Sequence, residues 1–252
     1  MVATSAQQRY ADVAAVPSDI QAHLPRLRSE ARGTVLELGV RGGNSTAALL
    51  AGVEAHGGAV WSVDVDDASA SIFEGHPQWR FVLADSRDVA AVEAHGLTGE
   101  LDVLFVDTLH TYEQVRGELR AWGDRVRAGG VLLFHDTDSF PEIRRAIAEW
   151  CREHAVAYEF LGGSNGLGVA YPGRSRAVRR RLALRRAAWR TGRAVHAAAR
   201  LPGRLRRRLR RVLGERLRRL SPGRRRRARG RCGRSPRPTA PAPASSGRRP
   251  RT

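Results

Sequence analysis

The chain has 252 residues and a formal net charge of +19, and every one of its basic residues is an arginine. The charge sits at one end: residues 173–252 hold 30 arginines and one acid, Glu215, which leaves residues 1–172 at −10. Two cysteines exclude a disulfide framework and fit a reduced cytosolic setting, no apolar run approaches the ~18–20 residues of a membrane span, and Gln7, Gln8, Arg9 and Asp12 interrupt any signal-peptide core.

Residues 1–32 read as a helical lead-in interrupted at Pro17 and Pro25. Thr34–Leu38 is a short apolar strand, followed by Ser45–His56 as a helix with Ser45 or Asn44 at its N-cap. Val60–Val65 and Trp79–Leu83 are strands, and Ser86–His95 is a helix. Leu101–Val106 (LDVLFV) is continuously apolar, as in a strand buried on both faces. Tyr112–Arg127 is a helix that Gly129-Gly130 breaks, before a second buried strand, Val131–Phe134. Pro141–His154 is a helix with proline in its first turn. Tyr158–Leu161 and Leu167–Tyr171, joined by Gly162–Gly166, form a hairpin. The alternation predicts an α/β fold over residues 33–172: a doubly wound, Rossmann-like sheet, mostly parallel, with helices on both faces and a C-terminal antiparallel hairpin.

The stretch VLELGVRGGNS (35–45) places a glycine-rich turn at the end of the first strand. Gly39, Gly42 and Gly43 are spaced G-x-x-G-G, which does not match the G-x-G-x-x-G turn of a dinucleotide site. Glu37 precedes the turn, where a carboxylate would repel a pyrophosphate but could hold a ligand ammonium. Asp64 ends the second strand, in position to accept hydrogen bonds from both ribose hydroxyls. Asp85 and Ser86 follow the third strand, placed to read an adenine edge.

Glu37, Gly39, Gly43 and Ser45, followed by Asp64, Asp85-Ser86 and the terminal hairpin, resemble a class I S-adenosylmethionine-dependent methyltransferase over residues 30–172. The segments LFVDTLHTYEQVRGEL (104–119), GGVLLFHDT (129–137) and SNGLGVAY (164–171) are similar to the metal-dependent small-molecule O-methyltransferases of the catechol and macrolide-sugar type. The resemblance implies S-adenosylmethionine as cofactor and a divalent metal near Asp107, His135 and Asp136, at the ends of two neighbouring strands. Magnesium is the expected ion, but a histidine ligand also suits manganese or zinc. His135 stands where related enzymes carry an acid, so Asp138 or water could complete the shell instead. The bland alternative is that these strand-end acids cap helices or face water. His110, three residues past Asp107, is the candidate general base or substrate contact.

The expected reaction is methylation of a hydroxyl on a small molecule, a sugar or a phenolic natural product. The Arg-rich segment 173–252 offers an alternative, an RNA or other nucleic-acid methyltransferase. Its stretch 203–220 has the pattern of a basic amphipathic helix suited to an anionic membrane surface or nucleic acid, and the residues beyond it are expected to be disordered.

Overall fold

The computed structural model describes residues 5–173. The Arg-rich segment beyond them, with the expected amphipathic helix at 203–220, lies outside the described residues.

Two short helices lead in, α1 (Ala6–Ala15) and α2 (Leu24–Glu30), joined through a 3-10 turn at Gln21–His23. Pro25 sits in the first turn of α2 and starts that helix; it does not interrupt one, because proline's missing N–H would be unpaired there in any case. The alternating part follows as β1 (Gly33–Leu38), α3 (Asn44–His56), β2 (Gly58–Asp64), β3 (Trp79–Leu83), α4 (Val89–Ala94), β4 (Leu101–Val106), α5 (Tyr112–Trp122), β5 (Val126–Phe134), α6 (Pro141–Glu153), β6 (Ala157–Leu161) and β7 (Leu167–Tyr171).

The strands form one seven-stranded sheet in the order β3-β2-β1-β4-β5-β7-β6. β1 to β5 pair in parallel, while β7 inserts antiparallel between β5 and β6. The hairpin is as expected, but the antiparallel strand is the inner one and β6 forms the edge. Side chains alternate across the sheet. Val35, Val103, Phe105, Val131 and Leu133 face one core with α1, α2 and α3. Leu36, Leu38, Leu104, Val106, Leu132 and Phe134 face the other, with α4, α5 and α6. Burial on both faces is why β4 and β5 read as unbroken apolar runs.

Several boundaries differ from expectation, each for a local reason. The N-cap of α3 is Gly43, in the left-handed region at φ +74°, and neither Asn44 nor Ser45 caps the helix; the Ser45 hydroxyl is committed elsewhere. α4 begins only at Val89, with the Asp88 side chain accepting from Ala91 N at 3.0 Å. Ser86 stays in the loop because its carbonyl accepts a 2.7 Å hydrogen bond from Trp122 Nε1. α5 stops at Trp122, five residues early. A β-carbon at Gly123 would lie 2.6 Å from Trp150 Cζ2, so only glycine lets α6 pack this closely. Gly129 and Gly130 lie inside β5, beside a register shift against Leu101–Val103.

β1 has β2 on one side and β4 on the other, so the chain reverses its direction of travel across the sheet at this point. In open α/β sheets such a reversal opens a crevice at the carboxyl ends of the strands. Trp122 ties the wall of that crevice to the core. Trp122→Ala is expected to cost about 3–5 kcal/mol, as for other buried tryptophans, when unfolding is followed in denaturant.

Candidate active site

The glycine turn is built over a buried acid. Glu37 has no solvent exposure. Its carboxylate accepts from Ser45 Oγ (2.6 Å) and Thr46 Oγ1 (2.8 Å) on α3, and from Ser62 Oγ (2.6 Å) on β2. Burial raises its pKa to about 7, even though all three hydroxyls pull it back down. Glu37 lines none of the cavities described below. The expected contact with a ligand ammonium is therefore not formed: Glu37 ties β1, β2 and α3 together beneath the turn, and Ser45 serves it. Gly39 holds φ +90°, and a β-carbon there would run into the carbonyl oxygen of Asp107. The turn thus lies directly on the end of β4.

A cavity of about 270 Å³ opens beside the turn, lined by Gly39, Asp64, Asp85, Ser86, Asp107 and Gln114, among others. Asp64 shapes it. Its Oδ2 accepts from Val40 N (2.7 Å) and Arg41 N (3.1 Å), and its Oδ1 from Asp66 N (3.0 Å). Oδ2 is filled by the two amides, and Oδ1 keeps a lone pair for a ligand hydroxyl. Asp85 is gripped by Arg87 through Nε (2.9 Å), Nη2 (2.6 Å) and the backbone N (2.8 Å). Those contacts hold its carboxyl down at about 2. Ser86 is buried and bonds to Glu118 and Gln114, so its side chain belongs to the wall. Gly43 lies under the turn against Ile72 and does not line this cavity.

A second cavity, of about 420 Å³, lies on the other side of the turn, lined by Ser18, Asp19, Arg41, Asn44 and Asp107 among others. Arg41, left-handed at φ +50° and largely exposed, pairs with Asp19 at 3.1 Å across its mouth. The two cavities share Val40, Arg41 and Asp107.

At Asp107 the strand ends carry a cluster of ionisable groups. Val106 and Phe134 are register partners, which brings Asp107, His135 and Asp136 side by side. His110 Nε2 lies 2.7 Å from Asp136 Oδ2 and 3.6 Å from Asp107 Oδ1. Its ring stacks on Phe140, with centroids 4.4 Å apart and 9° between planes. Asp107, His110 and Asp136 each offer a ligand atom, and these atoms all lie within 4.8 Å of one another.

This set differs from the expected one, because His110 takes the place of His135. Both ring nitrogens of His135 are occupied by oxygens: Nδ1 faces Asp107 Oδ1 at 3.3 Å, and Nε2 sits 3.1 Å from the carbonyls of both Asp19 and Ser164. Carbonyl oxygens cannot donate, so Nε2 must carry a proton. Burial alone would lower the pKa of His135, but Asp107 and Asp136 outweigh it and push it up to about 9. With Nε2 donating to two carbonyls and Nδ1 facing Asp107, His135 supports the cluster from below. Asp138 pairs with Arg144 at 2.9 Å and stands apart from the cluster. For Asp107, burial favours the neutral acid, yet the two imidazoles prevail and hold it below the usual carboxylate range. The Asp107 carboxylate in turn raises the pKa of His110 against the effect of burial.

Glu118, Gln114, Thr108, Asp19 and Arg41 were not anticipated from the sequence. Gln114 and Glu118 are one turn apart on α5, spacing that places both on one face. Such a pair on an amphipathic helix normally reads as solvated.

Comparison with known proteins bears on the fold that carries this cluster. Residues 36–137 match the family model described as a methyltransferase domain, roughly two fifths of the chain. Residues 36–137 are thus similar to a methyltransferase domain, set in the sheet order and terminal hairpin given above. Solved structures share the fold at low identity. A protein from Corynebacterium glutamicum matches with TM-score 0.53 and 17% identity, over 69% of this chain and 93% of that one. The SAH-bound methyltransferase PaMTH1 of Podospora anserina matches with TM-score 0.51 and 13% identity, over 66% and 83%. The MycE methyltransferase of the mycinamycin biosynthetic pathway, in complex with Mg and SAH, matches with TM-score 0.50 and 16% identity, over 68% and 55%.

The pKa of Glu37 gives a sign that can be measured. The folded state holds this proton to about pH 7, whereas an unfolded glutamate releases it near the model value of 4.5. Its contribution to stability is therefore fully present below pH 4.5 and is lost as pH rises to about 7. Subtracting the stability–pH curve of Glu37→Gln from that of the wild type is expected to leave a difference that declines across this interval and is flat above it.

Proposed function

We propose that this domain transfers the methyl group of S-adenosylmethionine to a hydroxyl oxygen of a small molecule, a sugar or a phenolic natural product, beside Asp107, His110 and Asp136. The observation that carries this reading is that the two cavities meet at Asp107. The 270 Å³ cavity, with Asp64 at its floor, suits the cofactor. The 420 Å³ cavity, lined by Ser18, Asp19, Arg41 and Asn44, suits a hydroxylated acceptor. A methyl group presented from one cavity would face an oxygen held in the other.

In this reaction the acceptor oxygen forms a bond to the methyl carbon while the carbon–sulfur bond breaks. Sulfur keeps the electron pair and the sulfonium becomes a thioether. The hydroxyl proton must leave, and His110, whose Nε2 lies between Asp107 and Asp136 with its ring stacked on Phe140, is placed to take it; where a cation is bound, His110 would instead be a ligand and the hydroxyl's lowered pKa would release the proton.

The cluster fits a divalent cation. Asp136 Oδ1 is buried without a hydrogen-bond partner among the described residues, as expected of an atom aimed at an ion. Asp107, His110 and Asp136 would hold it, and a mixed oxygen and nitrogen set suits manganese or zinc as well as magnesium. Bound there, a cation would lower the pKa of an acceptor hydroxyl.

The Arg-rich segment beyond residue 173 favours a second reading, methylation of nucleic acid, and would equally suit contact with an anionic membrane. Against it, the two cavities are lined by Asp19, Asp64, Asp85 and Asp107 against Arg41 and Arg87, an excess of acid that disfavours phosphate. Turnover by the chain lacking residues 174–252 separates the two: the small-molecule reading expects activity on a hydroxylated acceptor to survive the deletion.

Calorimetry is expected to show S-adenosylhomocysteine binding that weakens at least ~10-fold in Asp64→Ala, as hydrogen bonds to a charged group are worth ~1.5–3 kcal/mol. Asp136→Asn, outside the cofactor cavity, is expected to keep that binding while turnover drops on the order of 100-fold. Tight NADH binding with no response to S-adenosylhomocysteine would overturn the proposal.

A further inference from the structure

One buried polar group serves neither the glycine turn nor the strand-end cluster. Glu118, on α5, has no solvent exposure. Its Oε1 accepts three hydrogen bonds, from Ser86 Oγ at 2.6 Å, Thr108 Oγ1 at 2.6 Å and Gln114 Nε2 at 3.0 Å. Gln114 Nε2 also donates to Ser86 Oγ, at 2.9 Å. Ser86, Thr108 and Gln114 line the 270 Å³ cavity, and Glu118 stands behind them.

The protons of this network can be followed one by one. A carboxylate only accepts, so the single hydroxyl protons of Ser86 and Thr108 both point at Glu118, away from the cavity. Both amide protons of Gln114 are engaged, one by Ser86 Oγ and one by Glu118 Oε1. Turning the amide over would set its oxygen against a carboxylate oxygen at the same short distance, which the network rejects. What the three side chains still offer the cavity is oxygen lone pairs alone. Burial raises the pKa of Glu118. A proton taken up would sit on Oε2, which has no partner among the described residues, and Oε1 would remain an acceptor. The wiring therefore survives either charge state. Asp85 adds another acceptor to the same cavity, and Arg87, which also lines it, turns its Nε and Nη2 donors onto that carboxylate.

We infer that Glu118 is a positioning residue that makes this part of the cavity an all-acceptor surface, and that the surface selects the exocyclic amine of adenine over the carbonyl of hypoxanthine. This inference rests on the reading of the cavity as an S-adenosylmethionine site. It assigns base selectivity to a residue that never touches the base.

The test is calorimetry with two probes, S-adenosylhomocysteine and its deaminated counterpart S-inosylhomocysteine, which carries a carbonyl where the first has an amine. The wild type is expected to favour the adenosyl probe at least ~10-fold, since two acceptors facing each other forfeit a buried hydrogen bond. Glu118→Leu frees the Ser86, Thr108 and Gln114 protons to turn toward the cavity, and the ratio is expected to fall toward one. Glu118→Gln, whose amide oxygen can take the place of Oε1, is expected to keep the ratio. Gln114→Met removes the free amide oxygen and leaves Glu118 in place, so its ratio should also fall, which keeps the test decisive if Glu118→Leu does not fold. A purely structural role for Glu118 would weaken both probes equally. An unchanged ratio in Glu118→Leu and Gln114→Met, or equal affinities in the wild type, overturns the inference while leaving the cofactor reading intact. Failure of the wild type to bind S-adenosylhomocysteine overturns the cofactor reading itself.

Discussion

The carboxylate of Glu37 sits in the middle of the sheet with no water around it, and the glycine turn, the first turn of α3 and the end of β2 are all arranged to satisfy it. An isolated buried carboxylate is costly, and three hydroxyl donors at 2.6–2.8 Å are what make it tolerable. Ser62, one of the three, in turn accepts from Trp79 Nε1 at 2.9 Å, which draws β3 into the same network. With β1, β2 and α3 clamped, Gly39 can lie flat on the end of β4 and Asp64 can reach the Val40 and Arg41 amides. The cavity beside the turn is the space that this knot leaves. Glu37 thus acts on function through position, without reaching a ligand.

His135 plays the matching part at the other end of the site. As a buried imidazolium it draws together three segments distant in sequence: the carbonyl of Asp19 from the lead-in, the carbonyl of Ser164 from the β6–β7 turn, and the carboxylate of Asp107. His23 adds a contact to the Gly163 carbonyl at 2.5 Å, and the Ser164 hydroxyl accepts from Ala22 N at 3.0 Å. The lead-in residues that line the 420 Å³ cavity are therefore held by the same hairpin that completes the sheet. Ser164 and Asn165 both adopt positive φ to make that turn, at 41° and 64°. Their strained backbone fits a segment pinned from two sides.

Much of this was legible in the sequence because it follows from period and punctuation. The apolar runs at 101–106 and 131–134, the glycine turn, the proline opening α6 and the late hairpin each have a local cause, and the sheet follows from their order. The strand-end acids could be listed because a parallel sheet collects its chemistry at the carboxyl edge. What could not be read is which way a side chain points once it is buried. Glu37 and Asp64 both close strands that end at the crevice, yet one turns into the core and the other into the cavity. His110 and His135 are both histidines near Asp107, yet one turns Nε2 between the two carboxylates and the other has both nitrogens occupied by oxygens, two of them backbone carbonyls. Ser45 and Ser86 looked like a helix cap and a ligand contact, and each instead donates to a buried glutamate. In every case the deciding partner comes from another part of the chain: Ser62 for Glu37, Ser164 for His135, Glu118 for Ser86.

β4 shows why the chemistry gathers at one edge of the sheet. It carries an aspartate at each end. Asp102, near the amino end, accepts from Thr34 N at 2.8 Å and is closed off by the guanidinium of Arg127. Its charge is neutralised and its oxygens are filled, so it only braces β1 and β5. Asp107, at the carboxyl end, meets no arginine. Its neighbours are two imidazoles and a second carboxylate, Asp136, which is held at φ +60° with one oxygen unpartnered. Asp138, two residues further on, does find an arginine, Arg144, and falls out of the cluster. Guanidinium groups thus close Asp102 and Asp138, and imidazoles meet Asp107 and Asp136. An aspartate pair that meets imidazoles in place of guanidinium groups keeps an oxygen unpartnered among the described residues in a half-buried place, which a bracing carboxylate such as Asp102 does not.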